Sequence, residues 1–230
     1  MRFSKWHALG NVYLLAEHAE LTAERAREAV ADADGIVEVV FATDDEAEVR
    51  IWNPDGSLSE MSGNATRIAA RWLADRSGAT TVTIRVGMRA VEARMLDDVD
   101  VEQDMGEVAV FASESVDGIE FTPVDVGNPH AVVAGDPAEL PRVGPLLETH
   151  PHFANRTNVQ VARVDGPGEV TARVWERGVG ETTASGTSAV AVAAALVGAG
   201  TTTVHFPGGD LVVRIENGRA FLTGPAERVD

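Results

Sequence analysis

The chain has 230 residues, 44% of them hydrophobic, which is enough apolar material for one large core or two small ones. Asp and Glu number 36 against 19 Lys and Arg, so the net charge is −17, and aromatic residues make up only 5%. Like charge and few stacking platforms argue against nucleic acid or an anionic membrane as partner, and the absence of cysteine removes disulfides, thiolate chemistry and cysteine-ligated zinc.

In chain order, the segment Met1–His7 has no apolar stretch of the signal-peptide kind and no apolar run reaches membrane-spanning length, so the expected compartment is the cytoplasm. A first strand ends at Gly10-Asn11. Thr22–Val30 reads as a surface helix, with Thr22 as its cap and Glu24 in its first turn. Short strands follow at Val37–Phe41 and Glu48–Trp52, rich in β-branched residues or alternating in polarity. Asn53-Pro54-Asp55-Gly56-Ser57 is a turn. Next comes Met61-Ser62-Gly63-Asn64-Ala65-Thr66-Arg67, opening a small, apolar helix over roughly Ala65–Leu73. Strands are expected at Thr81–Val86, Val91–Met95 and Val99–Gln103, and the polar, aperiodic Ala112–Gly118 reads as a domain link.

The second half repeats the style. Strands are expected at Phe121–Val126, Ala131–Val133, Asn158–Val164 and Glu169–Trp175. Then Thr183-Ala184-Ser185-Gly186-Thr187-Ser188-Ala189 opens a second apolar helix over roughly Ala189–Val197. Strands at Val204–Phe206, Leu211–Ile215 and Ala220–Leu222 close the chain. Each half therefore reads as many strands around one helix that is apolar nearly all round, as a helix enclosed by a sheet should be. The expected domains are 1–113 and 114–222, with 223–230 returning to the first.

Ser62 and Ser185 are the key residues of this pattern. A serine at a helix mouth caps free backbone N–H groups. The following Gly63 or Gly186 admits a ligand close to them, and the helix dipole favours an anion such as a carboxylate. Read without further context, both serines are ordinary N-caps. The run Gly178–Thr183 imitates a dinucleotide-binding loop but lacks an acidic ribose reader about 20 residues on. His150 and His152 bracket Pro151 with no third ligand in view, so no metal site is expected.

Taken together, Phe3–Asn11, Gly127-Asn128-Pro129-His130, Glu176-Arg177-Gly178-Val179-Gly180-Glu181-Thr182, Phe206-Pro207-Gly208-Gly209-Asp210 and Leu222–Glu227 resemble diaminopimelate epimerase, over nearly the whole chain and in family order. The resemblance implies an α+β fold of two pseudo-symmetric domains, each a β-barrel-like mixed sheet around a central helix, with the active site in the cleft between them. It implies a cofactor-independent isomerase that interconverts LL- and meso-diaminopimelate. One base removes the Cα proton from one face while the other group donates to the opposite face. Both groups are cysteines in typical members, and Ser62 and Ser185 occupy their positions here. By resemblance the substrate carboxylate sits on the N–H groups of Gly63, Asn64, Gly186 and Thr187. Asn11 and Asn128 contact the reacting end, and Asn53, Asn158, Glu176 and Arg177 read the distal amino and carboxylate groups. Arg forks onto a carboxylate and Glu accepts from an ammonium, so the residue types fit. The family also implies a homodimer whose partner molecule is a small amino diacid.

The chain departs from the family at several places. An alcohol is a far weaker acid than a thiol, so a serine base needs a partner of its own. His130 and His7 are the candidates by resemblance, although a histidine in such a strand-loop motif is more often structural. Segments near 31–35 and 198–203 are shorter than usual, Val12 stands where Asp is usual, and Ala65 where Gly is usual. The expectation is a chain that binds an amino diacid and turns it over poorly. The alternatives are a racemase or isomerase of another amino acid, and a non-catalytic amino-acid-binding relative on the same fold.

Overall fold

The computed structural model describes residues 3–59 and 61–229; Met1, Arg2, Glu60 and Asp230 lie outside them. The chain divides into two compact units, Met1–Asp104 with Thr223–Asp230, and Met105–Leu222.

In the first unit, β1 (Phe3–Ala8) and β2 (Asn11–Glu17) form an antiparallel hairpin. Its turn places Leu9 and Gly10 at φ 51 and 81, which makes glycine apt at the second position. Helix α1 (Ala23–Ala29), capped by the Thr22 hydroxyl, crosses over to β3 (Gly35–Ala42), parallel to β2. Then β4 (Glu46–Trp52) pairs antiparallel with β3 and with β5 (Leu58–Ser59). The second crossover is α2 (Gly63–Ser77), which leads to β6 (Thr81–Val86), parallel to β4. Antiparallel β7 (Arg89–Met95) and β8 (Asp100–Glu107) follow, and the chain leaves the first unit within β8.

The second unit begins with short β9 (Ala109–Val110) and β10 (Glu114–Val116), both antiparallel to β11 (Ile119–Asp125). The segment expected to be a link thus carries a paired strand, and the units divide earlier in the sequence, at Asp104. From β11 onward the path of the first unit is retraced. β11 and β12 (Pro129–Ala134) form a hairpin, and α3 (Leu140–Glu148) crosses over to β13 (Asn158–Gly166), parallel to β12. Next come β14 (Glu169–Glu176) and β15 (Gly180–Thr182), both antiparallel additions. Then α4 (Gly186–Leu196) crosses over to β16 (Gly200–Phe206), parallel to β14. β17 (Gly209–Glu216) pairs antiparallel with β16, and β18 (Arg219–Pro225) carries the chain back into the first unit. There β19 (Glu227–Arg228) pairs with β1. Even the irregularities match, with a register shift at Val39/Phe41 in β3 and at Val164/Gly166 in β13.

The expected sheet around a central helix is present in each unit. Helix α2 touches β1, β2, β3, β4, β6 and β7, and α4 touches β11, β12, β13, β14, β16 and β17. Because strands surround them, residues 63–74 of α2 and 186–193 of α4 are all buried. Ile68 and Leu73 of α2 pack on Trp6, Leu15, Val37, Ile51 and Ile84. Each such side chain contributes about 1.5–3 kcal/mol by leaving water. Both central helices are longer than the apolar runs suggest, since they begin directly after the serines, at Gly63 and Gly186. Helix α3 was not expected at all. Pro141 in its first turn needs no N–H partner, but Pro145 inside it disguises the Leu140/Val143/Leu147 spacing that packs on Phe121, Val159 and Val161.

Candidate active site

Ser62 has extended backbone (φ −142, ψ 119) and caps α2, its Oγ accepting the Ala65 N–H at 3.3 Å. The Thr66 N–H donates to the Ser62 carbonyl at 3.0 Å, which starts the helical ladder. Ser185 has almost the same backbone (φ −147, ψ 127), and the Ala189 N–H donates to its carbonyl at 3.0 Å. Its Oγ makes no capping bond. In both mouths the first N–H groups have no partner within the helix, and Gly63, Asn64, Gly186 and Thr187 are buried at those positions. The structure thus puts both predicted serines at the N-terminus of an enclosed helix, where donor groups converge and the dipole attracts an anion.

Around the Ser62 mouth the structure adds two residues that the sequence did not single out. The Tyr13 hydroxyl lies 3.2 Å from Ser62 Oγ. Arg67, one turn into α2, is completely buried; its Nη2 donates to Asn64 Oδ1 at 2.5 Å and its Nε to the Pro225 carbonyl at 3.4 Å, while its Nη1 meets no acceptor among the described residues. Burial pulls the Arg67 guanidinium down to about 10, and the charges of Tyr13 and Asp100 oppose that fall. It remains a cation at neutral pH. Asn11 is nearly buried at the start of β2. Asn53 is spent on its own turn, its Nδ2 donating to Ser57 Oγ at 2.9 Å and its N–H to the Ser57 carbonyl.

In the second unit Asn158 and Arg177 fall into one network. Asn158 Nδ2 donates to the Pro129 carbonyl and Asn158 Oδ1 accepts the Arg177 N–H, each at 3.0 Å. Glu176 Oε1 accepts the Thr182 hydroxyl at 2.6 Å, and Arg177 Nη1 donates to the Asn155 carbonyl at 3.3 Å. Glu148, at the end of the unexpected α3, anchors this loop. Its carboxylate accepts the Gly178 N–H at 2.8 Å and the Trp175 indole N–H at 3.3 Å, and pairs with Arg156 at 2.7 Å. The matching Trp52 of the first unit donates in the same way to buried Glu38 at 2.9 Å.

Neither histidine candidate is tied to a serine hydroxyl. His130 is buried, its Nδ1 accepting from Gln160 at 3.0 Å and its Nε2–H donating to Asn128 Oδ1 at 2.9 Å. Burial pushes its pKa to about 3, so it is a neutral strut with both nitrogens engaged. Gln160 extends the chain to Ser188 Oγ at 2.9 Å. His7 lies 3.8 Å from Glu227, on β1.

The diaminopimelate epimerase family profile matches residues 3–111 and 122–229. This chain belongs to the diaminopimelate epimerase family. Diaminopimelate epimerases of Synechocystis and Desulfitobacterium hafniense are each 36% identical to it, over the whole chain and 97% and 96% of their own lengths. The enzyme of Desulforudis audaxviator is 37% identical over the whole chain and 97% of its own length. The Synechocystis alignment runs over 273 positions and this chain has 230 residues, so at least 43 of those positions are gaps on its side. The crossovers after α1 and α4 are tight. β3 begins six residues after α1 ends at Ala29, with Ala31 at φ 48 between them, and β16 begins at Gly200, just after Gly198 at φ 87 closes α4. Among solved structures, a protein described as a predicted epimerase from Pseudomonas aeruginosa matches with TM-score 0.80 at 17% identity, covering 100% of this chain and 97% of that one. A hydroxyproline epimerase from Agrobacterium vitis matches with TM-score 0.73 at 15% identity, covering 98% and 88%. At such identities these two show the fold alone, and it is the fold expected of the family.

Proposed function

We propose that this family member binds diaminopimelate and interconverts its LL and meso forms without a cofactor, slowly, because both base positions hold serine. The observation that carries the reading is the pair of extended serines, each placed one residue before the first turn of a buried helix. By the family resemblance, the N–H groups at such a helix mouth, those of Gly63 and Asn64 in the first unit and of Gly186 and Thr187 in the second, would receive a carboxylate, where they stabilise the charge that grows as the Cα proton leaves. By the family resemblance, Ser62 and Ser185 hold the positions of the two acid/base groups. The buttressed Asn158/Glu176/Arg177 cluster supports a substrate with a second amino-acid end. A proline-like substrate has no group for it to read. The family resemblance further supports a cytoplasmic homodimer. No helix among the described residues is long and apolar enough to cross a membrane.

The test is Cα deuterium incorporation from D2O, followed by NMR with LL- and meso-diaminopimelate. The unmodified chain is compared with its Ser62→Cys/Ser185→Cys variant. A thiol ionises near 8.5 and lower at a helix mouth, so the variant is expected to exchange much faster. If neither chain incorporates deuterium while diaminopimelate still binds, the protein is a binding relative and the epimerase reading fails. If neither chain binds diaminopimelate, the substrate class is wrong.

A further inference from the structure

An unaided serine is a poor base for a carbon acid, and the two histidines do not serve either serine hydroxyl. Beside Ser62, however, stands a third polar group. Tyr13 is the only tyrosine of the chain. It points from β2 into the core that surrounds α2, alongside Trp6 and Leu15. Its ring comes close to Gly35 of β3; a Cβ at Gly35 would stand 2.8 Å from Tyr13 Cε1, so only glycine leaves the ring where it is. The hydroxyl at the ring's tip reaches Ser62 Oγ. Ser62 Oγ already accepts the Ala65 N–H, which leaves its own hydrogen free to point at Tyr13. On the same helix, buried Arg67 offers an unused N–H and a full positive charge. The elements around Tyr13 also carry Lys5 and His7 on β1, Asp34 before β3 and Asp100 on β8. Lys5 and Asp34 are exposed, His7 and Asp100 half-buried.

We propose that Tyr13 is the proton-accepting partner of Ser62 in its phenolate form, a form that the buried positive charge of Arg67 favours without hydrogen-bonding to it, and that Ser62 relays the substrate's Cα proton towards it. This rests on the epimerase reading above. As the Cα–H bond breaks, a new Oγ–H bond forms at Ser62. The original Ser62 Oγ–H bond breaks and an Oη–H bond forms at Tyr13. The electron pair stays on Cα and spreads into the carboxylate at the helix mouth, so one negative charge moves from Tyr13 to the substrate and nothing else is consumed. Tyr13 acts through Ser62 and does not itself touch the substrate. In D2O both hydroxyls exchange with solvent, and the reverse relay returns deuterium to the face it came from. Deuterium incorporation with retention is therefore expected to outrun inversion.

Two measurements test this, one without substrate. Because there is a single tyrosine, the near-ultraviolet phenolate band titrates Tyr13 alone. Its midpoint is expected below the value of about 10 for a free phenol. It should rise by about a unit or more in Arg67→Met and stay low in Arg67→Lys, which keeps the charge if the methionine variant fails to fold. A midpoint at or above 10, or one indifferent to Arg67→Met, overturns the proposal whatever the substrate is. The second measurement is deuterium incorporation in a 2 × 2 set. Tyr13→Phe, which keeps the ring against Gly35, should slow exchange by about 10²-fold or more in the Ser62 chain and erase its rise with pH. In the Ser62→Cys background the same change should matter little, since a thiolate needs no partner. Equal rates and equal pH profiles for Tyr13→Phe and the unmodified chain overturn the proposal. So does an unmodified chain no faster than Ser62→Ala while Ser62→Cys/Ser185→Cys is active. That last pattern leaves the epimerase reading standing, whereas an inactive double-cysteine chain removes that reading and leaves the titration to decide the Tyr13–Arg67 pairing.

Discussion

Replacing Glu148 by Ala isolates the support of the loop that carries Glu176 and Arg177. The carboxylate is 5% exposed and receives three donors. The Gly178 N–H, at 2.8 Å, loses a hydrogen bond to a charged acceptor, which costs about 1.5–3 kcal/mol. The Trp175 indole bond is longer, at 3.3 Å, and adds about 1 kcal/mol. Arg156 is half exposed and returns to water, so its ion pair adds little. Relief of the carboxylate's own burial offsets part of the total. The net loss expected is about 2–4 kcal/mol, read as the change in unfolding free energy from urea titration with the slope m unchanged. With the double-cysteine chain as background, the proposed function expects KM for diaminopimelate to rise while kcat changes little, because the proposed site assigns this loop to the distal end and not to the reacting carbon. Glu148→Gln, which keeps one acceptor oxygen, should lie between. A stability loss under about 1 kcal/mol, or a kcat effect with KM unchanged, would refute the assignment of Glu148 as the anchor of that loop.

Other outcomes follow from the same contacts. His130 is held neutral with its pKa near 3, below the unfolded value of about 6.5; the unfolded chain therefore takes up the proton first, and stability present above pH 6.5 is lost as pH falls, by about 1.5 kcal/mol in all between 6.5 and 5. The difference in urea unfolding between the unmodified chain and His130→Gln across that range measures it, and parallel pH profiles would contradict the burial argument. His205 lies between Asp210 at 2.8 Å and Glu169 at 2.7 Å, and these hydrogen bonds raise its pKa; its NMR titration should sit above the ordinary histidine range, fall in Asp210→Asn, and the stability it adds should fade as pH rises through that midpoint. Gly144→Ala would place a Cβ 2.8 Å from Trp175 Cβ and Cγ, so the indole that donates to Glu148 must shift; a loss of about 1–3 kcal/mol in urea unfolding is expected. Ser62→Ala removes a helix cap and should cost about 1 kcal/mol, whereas Ser185→Ala, with no capping bond to lose, should cost less.

Much of this protein was legible from local pattern. The two Ser-Gly mouths, the enclosed apolar helices, the α+β repeat and the family resemblance all rest on short contiguous motifs, and helix capping and β-alternation are decided within a few residues. The surface helix was read to within a residue at each end, because Thr22 caps it as its side-chain chemistry requires. Where proline broke the spacing, α3 went unread, and Glu148 with it. The residues that the sequence passed over share one property. Tyr13 lies 49 positions from Ser62, Glu148 lies 30 from Gly178, and Arg67 looks like an ordinary arginine until the sheet closes round α2. Composition and motif fix which groups are available and which helix mouths they cap. Only tertiary packing decides which distant groups become neighbours, which lose their water and which histidine stays neutral, because the energy of a buried charge or hydrogen bond depends on surroundings assembled from remote parts of the chain.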